Sequence, residues 1–124
     1  MNRSAVQMGK VNKIMINEEN AQNAFQMILY AGDGRNNALE AISKAKEYKF
    51  EEAESLLNEA KENLKKAHKL QTKMMQDEIN GTEVELSILT VHGQDHFAMA
   101  TLSIDLARQA IEVYKKFKEL EDKK

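Results

Sequence analysis

The chain has 124 residues, 42% of them hydrophobic and 31% charged, with a formal charge of −2. That balance suits one globular domain and gives no reason to expect a nucleic-acid partner, because the lysines are mixed with glutamates. The absence of cysteine excludes a disulfide scaffold, thiolate-bound zinc and thiol catalysis, while the absence of Pro and Trp beside seven Met points to helices packed by Leu, Ile, Met and Ala.

No apolar run approaches the ~20 residues needed to span a membrane. The N-terminus has no continuous apolar core of signal-peptide length. The expectation is a cytoplasmic protein without direct membrane insertion. Residues 1–16 are polar and mildly basic apart from Ile14, Met15 and Ile16, and are expected to form a loosely ordered arm.

A first helix is predicted to start near Asn17, which can cap a turn carrying Glu18 and Glu19. Gly32-Asp33-Gly34 interrupts its pattern, and each glycine costs a helix about 1 kcal/mol relative to Ala. A break there is one reading. The stripe Ala24, Ile28, Ala31, Arg35, Ala38, Ile42, Ala45 nevertheless keeps its phase across the glycines, which favours one continuous helix with the glycines allowing close backbone approach. Arg35 falls on that inward stripe, where it needs a partner or a wet cavity, unless its stem lies along the bundle and its head reaches water.

A short turn at Tyr48-Lys49-Phe50 precedes a second helix over about Glu51–Glu78, with the stripe Ala53, Leu57, Ala60, Leu64, Ala67, Gln71, Met74. His68 and Gln71 share a face of it, and spacing alone makes His68 a boundary residue rather than a ligand. Asn80-Gly81-Thr82-Glu83 reads as a turn, with Gly81 as a helix C-cap and Thr82 as the next N-cap.

The third helix is predicted from about Val84 to Leu120. It carries three apolar stripes: one through Val84, Ile88, Val91, Asp95, Ala98 and Leu102, a second through Leu89, Gly93, Phe97, Ala100, Ile104, Ala107, Ile111 and Tyr114, and a third through Ile88, His92, Met99, Leu106, Ala110, Val113 and Phe117. A three-helix bundle buries only one broad face of each helix. A helix apolar over most of its circumference needs a second cover, so self-association through this helix about a symmetry axis is expected. The charged tail from Lys115 is expected to fray, with 121–124 outside the domain of 17–120. Short connections make the three helices antiparallel neighbours.

The stretch Thr90-Val91-His92-Gly93-Gln94-Asp95-His96-Phe97 places two histidines and a carboxylate in this apolar helix. Such groups must be paired, titrated or functional. If Asp95 lines an oligomer axis, the converging carboxylates must bind a cation or share protons, and their oxygens suit a hard divalent ion such as Mg²⁺. Alternatively Asp95 hydrogen-bonds a neighbour. His92 and His96 at i, i+4 can contribute to zinc, but further ligands are missing and Gly93 stands where the zincin pattern has Glu. The other chemistry is nucleophilic: a neutral imidazole attacks a phosphoryl group and later releases it. No glycine pattern for ATP is present, so the phosphoryl group would arrive on another protein. Packing without chemistry is the remaining alternative.

Residues Thr90 to Met99 resemble the V-H-[AG]-Q-D-H-L-M signature of the lactose/cellobiose-type enzyme IIA components of the phosphoenolpyruvate-dependent sugar phosphotransferase system. Gly32-Asp33-Gly34-Arg35-Asn36-Asn37-Ala38 is similar to that family's G-x-A-R-S segment, and Ala67-His68-Lys69-Leu70-Gln71-Thr72 to its A-H-x-x-Q-T segment. The resemblance covers roughly residues 18–120. Its departures are Phe97 for Leu, Ala98 for Met and Gly34 for Ala, the first two expected beside the active histidine.

The resemblance implies an all-α antiparallel three-helix bundle forming a nine-helix homotrimer. It implies a phosphotransferase component without a free small-molecule substrate, which takes a phosphoryl group from phospho-HPr on His92 and passes it to the cognate IIB component. Together with a membrane IIC component this serves uptake of a β-linked disaccharide of the cellobiose, chitobiose or lactose class. Asp95 matches the metal aspartate, with one Mg²⁺ per trimer on the axis. His96, Gln94, Gln71, His68 and Arg35 are supporting candidates. Backbone amides inside a helix are already bonded, so side-chain donors must hold the phosphoryl charge and a site at a subunit boundary is expected. A helical adaptor of the same fold without phosphotransfer is the alternative function.

Overall fold

A computed structural model describes residues 3–82 and 86–124, with side chains described from residue 18 onward. Three α-helices account for nearly all of it: α1 Arg3–Lys46, α2 Phe50–Ile79 and α3 Ile88–Asp122. No strand occurs among the described residues. α1 packs along both α2 and α3, whereas α2 and α3 touch over a much shorter length. One flank of α3 is therefore left open towards α2.

The helices approach closely because their facing positions are small. Ala24, Ala31, Ala38, Ala41 and Ala45 of α1, Ala53, Ala60 and Ala67 of α2, and Ala100 and Ala107 of α3 are fully buried. Met27, Leu57, Ile104 and Ile111 fill the spaces between them. Most of the bulky side chains of α3 lie outside this core. Ile88 is 89% exposed, Leu102 59% and Phe117 53%, with Val91, Met99, Leu106 and Val113 about half exposed. Of the three stripes of the last helix, the one through Gly93, Ala100, Ile104, Ala107 and Ile111 is buried, and the others face outwards.

α1 runs unbroken across Gly32-Asp33-Gly34, as the phase of its stripe predicts. The two glycines differ. A Cβ at Gly34 would lie 3.2 Å from the Ala60 carbonyl oxygen, so this residue allows α2 to approach, whereas Gly32 has nothing within 4 Å. Gly34 also shifts the inward line by one residue. It is buried and Arg35 is exposed, which corrects the inward placement of Arg35. Without a Cβ at 34, backbone meets backbone and the arginine is displaced to the rim.

Several boundaries differ from those predicted. The backbone of α1 is helical from Arg3 rather than Asn17, because nothing between them breaks a helix strongly. α1 ends in a turn where Tyr48 takes a left-handed φ of 62° and the Lys49 N–H donates to the Lys44 carbonyl at 2.9 Å. α2 matches its predicted span within a residue; its C-cap is Asn80, and the predicted cap Gly81 follows it with φ 84°. α3 starts at Ile88, capped by Ser87 instead of Thr82. The intervening 83–85, including the predicted first turn at Glu83 and Glu85, lie outside the described residues. The expected fraying from Lys115 does not occur. α3 continues to Asp122, with Lys115 bonded to Glu54 at 3.3 Å and Lys118 lying 5.6 Å from the Tyr48 ring centre.

Candidate functional site

The N-terminus of α3 is built by a capping box. The Thr90 N–H donates to Ser87 Oγ at 3.2 Å and the Ser87 N–H to Thr90 Oγ1 at 2.9 Å. These satisfy amides that have no partner within the helix. Thr90 is buried by this role. Gly93 follows on the core face, where a Cβ would lie 3.3 Å from the Ala24 carbonyl oxygen. The close α1–α3 contact at Gly93 therefore fixes the rotation of α3 in its second turn. Successive residues advance about 100° around the axis, so His92, Gln94 and Asp95 must point three different ways.

His92 is exposed, and His96 lies one turn on, on the same flank. Their Nε2 atoms are 3.1 Å apart, with the rings edge to face at 4.4 Å between centres. Nδ1 of His96 is buried and has no hydrogen-bond partner among the described residues. A buried N–H without an acceptor is the rarer and costlier situation. The proton of His96 therefore belongs on Nε2, where it is donated to Nε2 of His92. That places the proton of a neutral His92 on Nδ1 and leaves Nε2 with the lone pair. Burial, then the neighbouring His92 and Arg35, lower the pKa of His96, which keeps it neutral at pH 7. Arg35, though exposed, is thus within electrostatic reach of the pair.

The remaining candidates lie elsewhere. Gln94 is on the α2 flank of α3, where Nε2 of Gln71 donates to its Oε1 at 2.8 Å. His68 is exposed and stacks on Phe97, with ring centres 5.8 Å apart. Phe97 packs against the core cluster of Met27, Ala67 and Met74, which corrects its expected place beside His92. An aromatic ring at 97 points five residues round from His92 and fills the α2 groove. The seven candidates therefore split into His92, His96 and Arg35 on the α1 side, Gln94, Gln71 and His68 on the α2 side, and Asp95 between them. The two cross-helix pairs, Gln71–Gln94 and His68–Phe97, leave no mark in the local pattern. Only the facing of α2 and α3 creates them.

Asp95 is exposed within the outward apolar stripe, and no hydrogen bond or ion pair joins its carboxylate to another described residue. Among the described residues no group of three or more metal-ligating side chains occurs in one chain. A single chain thus offers one hard oxygen donor at this position. A hard cation takes several oxygens, so waters or further copies would have to complete its shell beside Asp95. Among the described residues no third metal-ligating side chain joins the two histidines to make a zinc site.

A bundle of three long helices is the fold of phosphotransferase-system IIA subunits of known structure. The family described as "PTS system, Lactose/Cellobiose specific IIA subunit" matches residues 22–115, and the chain belongs to that family. It is 45% identical over 104 residues to the lichenan-specific phosphotransferase enzyme IIA component of Bacillus subtilis, a match covering 84% of this chain and 94% of that protein. It is 44% identical over 92 residues to the lactose-specific EIIA component of Staphylococcus epidermidis, covering 74% and 88% of the two chains. The crystal structure of the cellobiose-specific enzyme IIA of Bacillus anthracis is similar, with a TM-score of 0.78 and 40% identity over 79% of this chain and 90% of that one. No helix among the described residues is long and apolar enough to cross a membrane.

Proposed function

We propose that this chain is a cytoplasmic phosphocarrier that accepts a phosphoryl group from phospho-HPr on His92 and passes it to the cognate IIB component. With its membrane IIC component it would serve uptake and phosphorylation of a β-linked disaccharide of the cellobiose, chitobiose or lactose class. The observation that carries the reading is the exposed His92 ring with Nε2 hydrogen-bonded to a neutral His96. An exposed imidazole suits a reaction between two proteins, because both the donor and the acceptor side chain must reach it.

In the first step the contact between the two Nε2 atoms opens and the His92 lone pair attacks phosphorus. The new N–P bond forms as the donor's bond to phosphorus breaks, and that bond's electron pair stays on the donor. Nδ1 of His92 keeps its proton. The Nε2–H of His96, released from the lone pair, then donates to a phosphoryl oxygen. In the second step a thiolate of the acceptor forms an S–P bond, and the N–P electron pair returns to Nε2. Arg35 adds a positive charge on the same flank. Both steps exchange one phosphoryl acceptor for another, so the protein supplies position and charge compensation.

Incubation with phosphoenolpyruvate, enzyme I and HPr should give an acid-labile, base-stable adduct on His92. Labelling of His92→Ala at the wild-type level, or no adduct on the wild type, would reject the reading.

The outward stripe of α3 supports a homotrimer, with Asp95 from each copy at the axis and one Mg²⁺ held between the three carboxylates. The ion would offset the mutual repulsion of the carboxylates. His92 would then lie beside a subunit boundary.

A further inference from the structure

We infer that the outer face of α2 is a contact for an anionic membrane surface, a stripe of lysines that holds the protein reversibly at phospholipid headgroups without insertion. The binding needs only the charges of this face. Its use, keeping the carrier close to a membrane component, rests on the phosphocarrier reading above.

The chain as a whole mixes lysine with glutamate, but the second half of α2 does not. Residues 61–76 hold five lysines, Lys61, Lys65, Lys66, Lys69 and Lys73, against the single carboxylate of Glu62, a net charge of +4. The whole chain is −2, so the remainder carries −6. Lys61, Lys65, Lys69 and Lys73 recur every four residues, which sets them along one line about 18 Å long. Ala60, Ala67 and Met74 bury the other side of the helix, and all five lysines are exposed. Lys73 is joined to Glu19 at 3.0 Å, and Lys66 lies 5.4 Å from the Tyr30 ring centre. Lys61, Lys65 and Lys69 form no ion pair among the described residues. Like charges at i, i+4 weaken a helix. The helix dipole does not account for them, because the last turn of α2 holds no basic residue. The stripe therefore opposes folding slightly, and no described residue offsets it.

The composition of the face selects a membrane surface over a protein or a nucleic acid. Protein interfaces are anchored by aromatic, Met and Arg side chains and are poor in Lys. Between Asn58 and Lys73, α2 exposes no large apolar side chain, and the three arginines of the chain lie on α1 and α3. Nucleic-acid sites add Arg at base edges or aromatic rings that stack on bases, and this face has neither. A plane of anionic headgroups needs only positive charges on long stems that stand clear of the bundle. A straight helix presents such a line to a plane along its whole length. Because the lysines stand away from α3, self-association through α3 leaves the stripe accessible.

Co-sedimentation of the full chain with lipid vesicles is the test. Vesicles of phosphatidylglycerol and phosphatidylcholine in equal parts should carry down the wild type at low ionic strength, and vesicles of phosphatidylcholine alone should not. Raising the salt to about 0.5 M should release the protein, because exposed charges are screened. The triple variant Lys61→Gln, Lys65→Gln, Lys69→Gln should bind about a hundredfold more weakly, roughly fivefold per lysine, with unchanged helicity in circular dichroism. A control variant with the same loss of charge at the end of α3, Lys116→Gln, Lys123→Gln, Lys124→Gln, should keep its binding within a fewfold. Equal loss in the two variants would trace the binding to net charge and overturn the proposal. So would a wild type that ignores the phosphatidylglycerol vesicles, or one that binds duplex DNA through these lysines more tightly than it binds those vesicles. Vesicle binding and labelling of His92 are separate readouts. A wild type that binds the vesicles but takes no label supports the membrane contact and rejects the carrier reading alone.

Discussion

A histidine beside the proposed phosphoryl acceptor can act as a hydrogen-bond donor or simply as filling, and His96 allows the two to be separated. Its role as a donor rests on Nε2, 3.1 Å from His92, and on a buried Nδ1 that accepts nothing from the described residues. His96→Leu removes the donor and should slow labelling of His92 about tenfold, the value of roughly one hydrogen bond. His96→Gln keeps an N–H near the same place and should restore most of that rate. Equal rates for both variants in a rapid-quench labelling assay would reject the donor role. Phe97 provides the contrast. It points towards α2 and stacks on His68, so Phe97→Leu should leave the labelling rate unchanged while lowering stability by about 1 kcal/mol, from lost aromatic packing. Urea denaturation and the same labelling assay would check both halves.

At the scale of the elements, two glycines two residues apart in α1 have opposite uses. Gly34 faces the Ala60 carbonyl oxygen at a distance where a methyl group would push the backbone of α2 back by a few tenths of an ångström, and Gly32 faces open space. Gly34→Ala is therefore expected to lower stability by about 1–3 kcal/mol, since helix and carbonyl must separate. Gly32→Ala should raise it by about 0.5–1 kcal/mol through helix propensity. Opposite shifts of the urea midpoint would establish the difference. The start of α3 depends on Ser87, and Ser87→Ala should cost about 1 kcal/mol by loss of the capping box. The same α3 turn holds His92, so amide exchange at residues 88–92 should accelerate with it.

For the whole molecule, the distribution of bulk matters more than its amount. Alanines line the closely packed interior, and most of the large side chains of α3 lie outside it. A continuous exposed stripe of that length is unusual for a soluble monomer and calls for a partner. With Asp95 alone in this stripe, the proposed trimer should gain thermal stability on addition of Mg²⁺ and lose it in a chelator. Asp95→Leu should retain or tighten the trimer without the metal, because apolar replacements relieve buried like charges. Monomers of both proteins in light scattering would reject the axial placement of Asp95.

Helix number, the continuity of α1 across its glycines and the span of α2 are legible in the amino-acid sequence, because helical periodicity is a local property that neighbouring residues repeat. The pairing of His92 with His96 is legible for the same reason: i and i+4 share a face in any helix. The start of α3 was legible in principle from Ser87 and Thr90, but Thr82 and Gly81 gave a competing signal. What the sequence leaves open is rotation. Three apolar stripes on α3 are equivalent by hydropathy, and only close contact at Gly93, Ala100 and Ala107 selects the small-residue stripe for the interior. A one-residue shift around α1 likewise exchanges Gly34 for Arg35 at the α2 contact. That choice of rotation decides that Gln71 meets Gln94 across 23 positions of chain, and that Asp95, His92 and Gln94 face three different directions from one turn. Such contacts belong to pairs of helices, and no periodicity within one helix encodes them.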